Sequence, residues 1–413
     1  MLPTTLIHHE VPVRAPRNLV ERYALRFPWY GRLLDSLGVR HSDRLADLPL
    51  MDQATLEHHY YSSDDQPPGT HAFFTSGTSG GRRKRILYGV EDENAYVAQR
   101  RALFERFTRG IPAGSTAVAD LGTGHAAASA RRIFEEMGFT AHDIDFRAPL
   151  PEHVAKLNRW QPDVLFTMPM ILDRLVRSPE PLRISPRRIM VVGDLAPAAW
   201  RANAARHFGL RPEDVMDVFG SIEIGAIAHT DPETGLYHFH DHIIAEVVPP
   251  HVLLPDLPER DLPPGDGVLL LTSLTRPNFP ALRYVTGDLV SGLRVIEHRG
   301  RPVTAFDRVE GRLTGDFKHG ERVSSHDLCE AAALVFPGRA FEVVDDGGLR
   351  VRVVADHVTP EQVRAFRAAV DAAAPDVATM VASGLVRPIE VEAIRAEAMR
   401  SGGAKRRFHL KES

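Results

Sequence analysis

Through roughly the first 230 residues, short apolar runs alternate with stretches in which apolar positions recur every three or four residues. "TAVADL" (116–121) precedes "AASARRIFEEMGF" (127–139), where Ile133, Phe134 and Met137 fall on one helical face. "PDVLFTMP" (162–169) precedes "ILDRLVRS", and "RIMVVGD" (188–194) precedes "PAAWRANAARHFG". A short buried strand followed by an amphipathic helix, repeated, predicts α/β units with largely parallel pairing. From about residue 236 the pattern changes to strand-like segments, "IIAEVV" and "GVLLLTSL", separated by turns such as "LPDLPERDLPPGDG". That change predicts antiparallel strands or a small barrel. After "DRVEGRLTGDFKHGERV" (307–323) it shifts again. "LRVRVVAD" alternates as a strand does, "EQVRAFRAAVDAAA" sets Val363, Phe366 and Val370 on one face with Pro375 closing it, and "RPIEVEAI" supplies another strand. The expected fold class is α/β: a large N-terminal domain with a small barrel-like region over 1–310, then a compact α+β cap domain over 311–413.

Composition narrows the function classes. The chain has 413 residues, enough for two or three domains, with 43% hydrophobic and 25% charged residues and a net charge of −4. A slightly acidic balance gives no electrostatic footing for nucleic acid. No apolar run approaches the roughly 18 residues a membrane helix needs, and the first residues lack a signal-peptide pattern, so the expected location is the cytosol, with no membrane partner. One cysteine, Cys329, excludes an internal disulfide and a cysteine-based zinc site. Among 50 basic residues only Lys84, Lys156, Lys318, Lys405 and Lys411 are lysines. A lysine inside a Gly-rich motif therefore weighs more here than in an ordinary chain, because Lys offers a compact point charge where Arg offers a planar fork.

Four stretches carry chemistry. "FFTSGTSGGRRKRI" (73–86) sets a run of Thr, Ser and Gly before four basic residues, Arg82 to Arg85. Open amides, hydroxyls and cations are what a polyphosphate needs, although no Walker ending is present and a flexible linker would have a similar composition. "VADLGTGHAAA" (118–128) reads as a Gly-rich strand-to-helix turn, with Asp143 and Asp145 roughly where a ribose-binding acid would sit. It suits a methyl-donor or NAD-type Rossmann enzyme, and equally a tight turn needing small residues. "DVFGSIEIGAIAH" (217–229) puts Glu223 after a Gly-Ser turn, where one carboxylate could help phosphates hold Mg²⁺. "RYVTGDLV" (283–290) ends a strand in Thr286-Gly287-Asp288, whose Asp could accept both hydroxyls of a ribose.

The Thr/Ser/Gly loop, the Gly-Ser-x-Glu turn, the Thr-Gly-Asp turn and a "GR…D.K…G.RV" stretch behind them occur in this order, and so arranged they resemble the adenylate-forming superfamily of acyl-CoA synthetases, adenylation domains and luciferases, and most closely its phenylacetate-CoA ligase-type branch. The resemblance covers essentially the whole chain. It implies that Thr75, Ser76, Gly77, Thr78, Ser79 and Gly80 form the phosphate loop and that Glu223 associates with Mg²⁺. Phe219, Gly220 and Ser221 would line adenine and the acyl carboxylate, Asp288 would bind the ribose, and Arg312 would stand at the start of the C-terminal domain. Lys405, Glu223 and Thr78 are the implied catalytic set. The implied reaction is attack of a carboxylate, expected to be aromatic, on the α-phosphate of ATP, with pyrophosphate leaving and the acyl group passing to coenzyme A. A carrier protein or an amine is an alternative acceptor, and a non-adenylating acyl-binding protein an alternative class.

The chain departs from the family pattern in places. The phosphate loop ends Gly80-Gly81-Arg82-Arg83 with Lys84 one place late, Thr314 stands where a hinge Asp is usual, and "RSGGAKRR" (400–407) puts Ala404 at the place of the adenylating lysine. Lys405 is expected to take that role through a one-residue slip. In "YHFHDHIIAE" (237–246), His238, His240 and His242 alternate, so an extended strand would put three imidazoles on one face, as a zinc site or as a half-exposed strand near the acyl pocket. "HHYY" (58–61) reads as surface.

Overall fold

The computed structural model describes residues 17–42, 44–74, 84–121, 125–145, 147–259, 261–313, 317–319, 321–345 and 348–400. The chain divides into two compact units, Met1–Ala102 with Phe219–Arg308, and Leu103–Val218 with Val309–Ser413. Among the described residues no helix is long and apolar enough to cross a membrane.

The first unit is antiparallel, as the change of pattern after residue 236 predicts. Strands Ile243–Val248, Gly267–Ser273 and Tyr284–Ser291 form one sheet. Strands Arg294–His298, Arg301–Phe306, Tyr237–Phe239 and Gly225–Thr230 pair in that order in another. A hairpin, Thr70–Phe74 with Arg85–Gly89, precedes the start of helix Val90–Phe107. The helical turn Glu57–Tyr61 corrects the surface reading of "HHYY". Its wide turn swings Tyr60 inward to 6% exposure, edge-on to Phe27 and Phe279, and leaves His58 outside.

The second unit holds the parallel α/β part. Strands Val215–Ser221, Arg188–Val192, Val164–Thr167, Thr116–Asp120 and Thr140–Ile144 run parallel in that order. Helices His125–Glu136, Leu150–Trp160, Pro169–Val176 and Ala198–His207 connect them. Ile133 and Phe134 are buried, as their spacing predicts. Strands buried along their length explain the near-continuous apolar runs.

The C-terminal part of this unit has a core of its own. Strands Phe341–Asp345, Leu349–Val354 and Glu390–Ile394 carry Val343 and Val351 against Leu328, Phe366, Val370 and Val377. Both long helices start with reciprocal caps, Ser324 with Asp327 and Thr359 with Gln362. Pro375 does end the helix Pro360–Ala373, and it also opens a second one, Pro375–Ala382, that the sequence reading did not include. Proline is at home in a first turn because it lacks only an N–H that has no intrahelical partner there. Helix Ala198–His207 docks on this part: Ala199 N–H donates to Glu330 (3.1 Å) and Asn203 Nδ2 to the Ala333 carbonyl (2.6 Å).

Candidate active site

The Thr/Ser/Gly stretch Thr75, Ser76, Gly77, Thr78, Ser79 and Gly80 lies outside the described residues, but both of its flanks are fixed. Phe74, before the stretch, pairs with Arg85, after it, across the hairpin. Arg85 Nη2 donates to the carbonyls of Ser63 and of Asp65 (2.9 Å to the latter). Lys84 Nζ donates to Gln53 Oε1 (2.6 Å) and sits 5.4 Å from the centre of the Tyr61 ring.

Glu223 occupies a tight turn after strand Val215–Ser221, and this turn is clamped by its backbone. Ser221 Oγ accepts the Ile224 N–H (3.2 Å), and the chain resumes as a strand through Gly225 at φ +93°. The Ile222 carbonyl accepts the Tyr88 hydroxyl (2.7 Å), and the Glu223 carbonyl accepts Arg276 Nε (2.8 Å). The Arg276 guanidinium also pairs with Asp92, donates to the Leu87 carbonyl (3.3 Å) and lies 3.9 Å from the Tyr88 ring centre. Asp92 receives in addition the Gly89 N–H (2.8 Å) and Asn278 Nδ2 (2.5 Å). Tyr60 closes the girdle, donating to the Asn278 carbonyl (2.8 Å) and accepting the Leu87 N–H (2.9 Å). The hairpin strand that follows the Thr/Ser/Gly stretch and the Glu223 turn thus share one buried polar frame. The Glu223 carboxylate itself makes no hydrogen bond or ion pair among the described residues, and the neighbouring Tyr61 phenol is kept protonated by burial and then by the Glu223 charge. A half-buried carboxylate left available in this way fits Mg²⁺, which takes one or two carboxylates together with phosphate oxygens.

Gly220 has no room for a side chain: a Cβ there would stand 2.4 Å from Arg100 Nη2 and 2.6 Å from the Gly225 carbonyl oxygen. Phe219 leans on Phe306 (6.1 Å between centroids), which stacks on Tyr237 at 4.8 Å. Asp288 follows a register shift in strand Tyr284–Ser291. Val268 pairs with Leu289 but Leu270 with Val285, so three residues, Thr286 to Asp288, stand where the partner strand has Leu269 alone. Gly287 supplies the positive φ (+76°), Thr286 Oγ1 donates to the Leu269 carbonyl (2.9 Å), and the Asp288 N–H donates to Thr286 Oγ1 (3.0 Å). A bulge lifts its residues out of the ladder, which is why this Thr-Gly-Asp is a display position and not an ordinary strand end.

Arg312 ends strand Arg308–Arg312 in the second unit and is exposed. Lys405 lies outside the described residues. The chain leading to it is fastened, since the Arg400 N–H donates to Glu342 Oε2 (2.8 Å) and the fully buried Glu342 pairs with Arg352 (2.5 Å).

The three histidines are a correction. No single strand spans 237–246: the chain forms Tyr237–Phe239 and Ile243–Val248, with a turn between them in which the Ile243 N–H reaches the His240 carbonyl (2.9 Å). The alternation is therefore broken. His238 is 5% exposed, packs on His298 (4.9 Å between rings) and shares a 2.8 Å hydrogen bond with Thr234 Oγ1. His242 Nε2 donates to the Ala226 carbonyl (2.9 Å). The described residues that bring three metal-competent atoms within 4.8 Å of one another are Asp231, His238 and His298. Asp231 is already engaged by the Glu233 and Thr234 N–H groups (3.0 and 3.1 Å).

In the Gly-rich turn at 118–128, residues 122–124 lie outside the described set. Its acids are occupied elsewhere: buried Asp120 bonds His153 Nδ1 (3.0 Å), and Asp143 pairs with Arg131 (3.0 Å). The residues around the Glu223 turn and Gly220 that sequence reasoning missed are Tyr60, Tyr88, Asp92, Arg100, Arg276 and Asn278. No motif marks them, and the one local cue is "TRPNF" (275–279), a charged residue wedged into a Pro turn before a strand.

Residues 318–397 match the family model of the fumarate–diaminopropanoate ligase C-terminal domain. The chain is 40% identical over 393 residues to fumarate–(S)-2,3-diaminopropanoate ligase of Enterobacter agglomerans, covering 94% of this chain and 97% of that one. It is 24% identical over 172 residues to phenylacetate-coenzyme A ligase of Aromatoleum evansii, covering 39% of this chain and 36% of that one. Among solved structures it is similar to 2-hydroxyisobutyryl-CoA ligase in a postadenylation state, with a TM-score of 0.73 at 17% identity over 96% of this chain and 88% of the other. That last likeness speaks for the fold.

Proposed function

Because the chain belongs to the adenylate-forming superfamily, in its phenylacetate-CoA ligase-like branch, we propose that it activates a small unsaturated dicarboxylic acid of the fumarate type with ATP and Mg²⁺ and joins it to the amine of a small amino acid. The observation that carries the reading is the clamped Glu223 turn, with its uncommitted carboxylate, in the same buried frame as the hairpin that bears the Thr/Ser/Gly stretch. The full-length relative's name supplies the substrate pair. It favours the amine acceptor, kept open in the sequence, over an aromatic acid and coenzyme A.

In this reading one carboxylate oxygen attacks the α-phosphorus, the bond to pyrophosphate breaks, and the acyl group is held as a mixed anhydride. The amine nitrogen then attacks the acyl carbon, AMP leaves, and the nitrogen gives up a proton. The protein's share is positioning and charge stabilisation. Amides and hydroxyls of 75–80 receive the phosphates, the bulged Asp288 receives the ribose, and Phe219 covers the adenine against Phe306. Glu223 with phosphate oxygens would hold Mg²⁺, which neutralises charge on the leaving pyrophosphate. Lys405 is the cation proposed for the carboxylate and α-phosphate.

The test is pyrophosphate release by the purified full chain across aromatic, aliphatic and dicarboxylic acids, each with 2,3-diaminopropanoate, coenzyme A or no acceptor, with products identified by mass. The expected result is release with fumarate and an amide product that needs the diamino acid. Release with an aromatic acid and a coenzyme A thioester as product would overturn it.

A further inference from the structure

Arg100, on helix Val90–Phe107, is 3% exposed, yet its Nε and Nη1 have no hydrogen-bond partner among the described residues. Nor does any described carboxylate lie within ion-pair distance of it. The Tyr96 ring, one turn back, lies 5.5 Å from the guanidinium carbon. An arginine does not escape burial by losing its proton, and a buried unpaired guanidinium is strongly unfavourable. Such a group persists where an anion arrives with the ligand, because its planar fork matches a carboxylate.

Its placement says which ligand. Nη2 stands where a Gly220 side chain would be, so the guanidinium abuts the Phe219–Gly220–Ser221 segment. His242 is held neutral by burial, with the Arg100 charge adding to the effect, and Asp241 is exposed. A guanidinium at this place suits a carboxylate that does not itself react, such as the second one of a dicarboxylic acid. We propose that Arg100 is an anion-binding subsite that takes the second carboxylate of a dicarboxylic acid while the first reacts, and so selects the acid. This rests on the function proposed above. The shared chemistry is a carboxylate, which the amino-acid acceptor also carries, and the experiment separates the two sources.

Acid-dependent ATP–pyrophosphate exchange needs no acceptor, and is measured for the wild type, Arg100→Met and Arg100→Lys with fumarate, monomethyl fumarate and crotonate. The wild type is expected to favour fumarate. Arg100→Met is expected to lower kcat/KM for fumarate by roughly 10- to 100-fold, the size of one charge-assisted hydrogen-bonded pair, chiefly through KM. Its crotonate rate falls far less, so the preference collapses, whereas Arg100→Lys keeps part of it. In the full reaction, the KM ratio of 2,3-diaminopropanoate to ethylenediamine stays unchanged in all three proteins. Equal loss for every acid, an intact fumarate preference in Arg100→Met, or a shift confined to the acceptor ratio overturns the assignment. Should Arg100→Met not fold, Arg100→Lys decides alone, since an unaltered fumarate-to-crotonate ratio there, with fumarate KM also unaltered, overturns it. A wild type that exchanges with no dicarboxylic acid sinks the proposed function itself, and that outcome is visible before any variant is made.

Discussion

The Arg276 girdle makes a quantitative prediction. Arg276→Met keeps most of the stem volume and deletes the guanidinium. Three acceptors lose a donor: the carbonyls of Glu223 (2.8 Å) and Leu87 (3.3 Å), and the fully buried Asp92 carboxylate. Breaking a buried ion pair from one side costs about 3–5 kcal/mol, because the remaining charge is left uncompensated. Asp92 keeps the Gly89 N–H and Asn278 Nδ2, which places the loss near the lower end, about 3 kcal/mol. Asp92→Asn retains an acceptor oxygen and strands the cation only in part, at about 2 kcal/mol. The double variant has no unpaired buried charge, so its loss should also be about 3 kcal/mol, leaving a coupling of about 2 kcal/mol. Urea unfolding of the four proteins reads these values through the midpoint at constant slope. Pyrophosphate exchange on the same samples reads the freed Glu223 turn, with kcat falling more than the stability loss accounts for under conditions where all four remain folded. Losses that simply add, or an Arg276→Met variant with wild-type stability and exchange, would refute the reasoning.

Three further outcomes follow from the same geometry. Gly220→Ala pushes a methyl group against the Gly225 carbonyl, a clash of the kind that costs about 1–3 kcal/mol, and is expected to lower kcat/KM by roughly 10- to 100-fold in pyrophosphate exchange. Wild-type kinetics in that variant would show the backbone to be free to move. His242 is pushed down to about 4 by burial, so between pH 6.5 and 4 the unfolded chain takes up a proton that the folded chain does not. Its contribution is present above pH 6.5 and lost on acidification, about 2–3 kcal/mol allowing for partial exposure, and His242→Gln should flatten that limb of the stability profile. Lys405→Ala is expected to abolish acid-dependent exchange while Arg406→Ala keeps much of it, and equal exchange in wild type and Lys405→Ala would remove Lys405 from the mechanism.

Much of the fold is legible in the chain because strand and helix write different periods into it. Parallel strands buried on both faces left apolar runs such as "RIMVV", and the helix containing Ile133 and Phe134 left a stripe, so the α/β half could be read directly. Misreadings came where a turn intervened. The break at His240–His242 is a backbone event that an alternating pattern does not record, and the inward swing of Tyr60 depends on one wide helical turn. Pro375 carries the same letter whether it ends a helix or begins one.

Local motifs alone set out the candidate chemistry, namely the hydroxyl-rich stretch at 75–80, the acid at 223, the Asp288 of Thr-Gly-Asp and a scarce lysine at 405, since each needs particular residue types at short spacing. Tertiary structure alone decided what holds the Glu223 turn and where an uncompensated cation stands. Arg276 lies 184 positions from Asp92, and Arg100 lies 120 from Gly220 (220 − 100). The physical reason is that burial and pairing, which set the free energy of a charge, belong to neighbours in space, and no short window of sequence contains them.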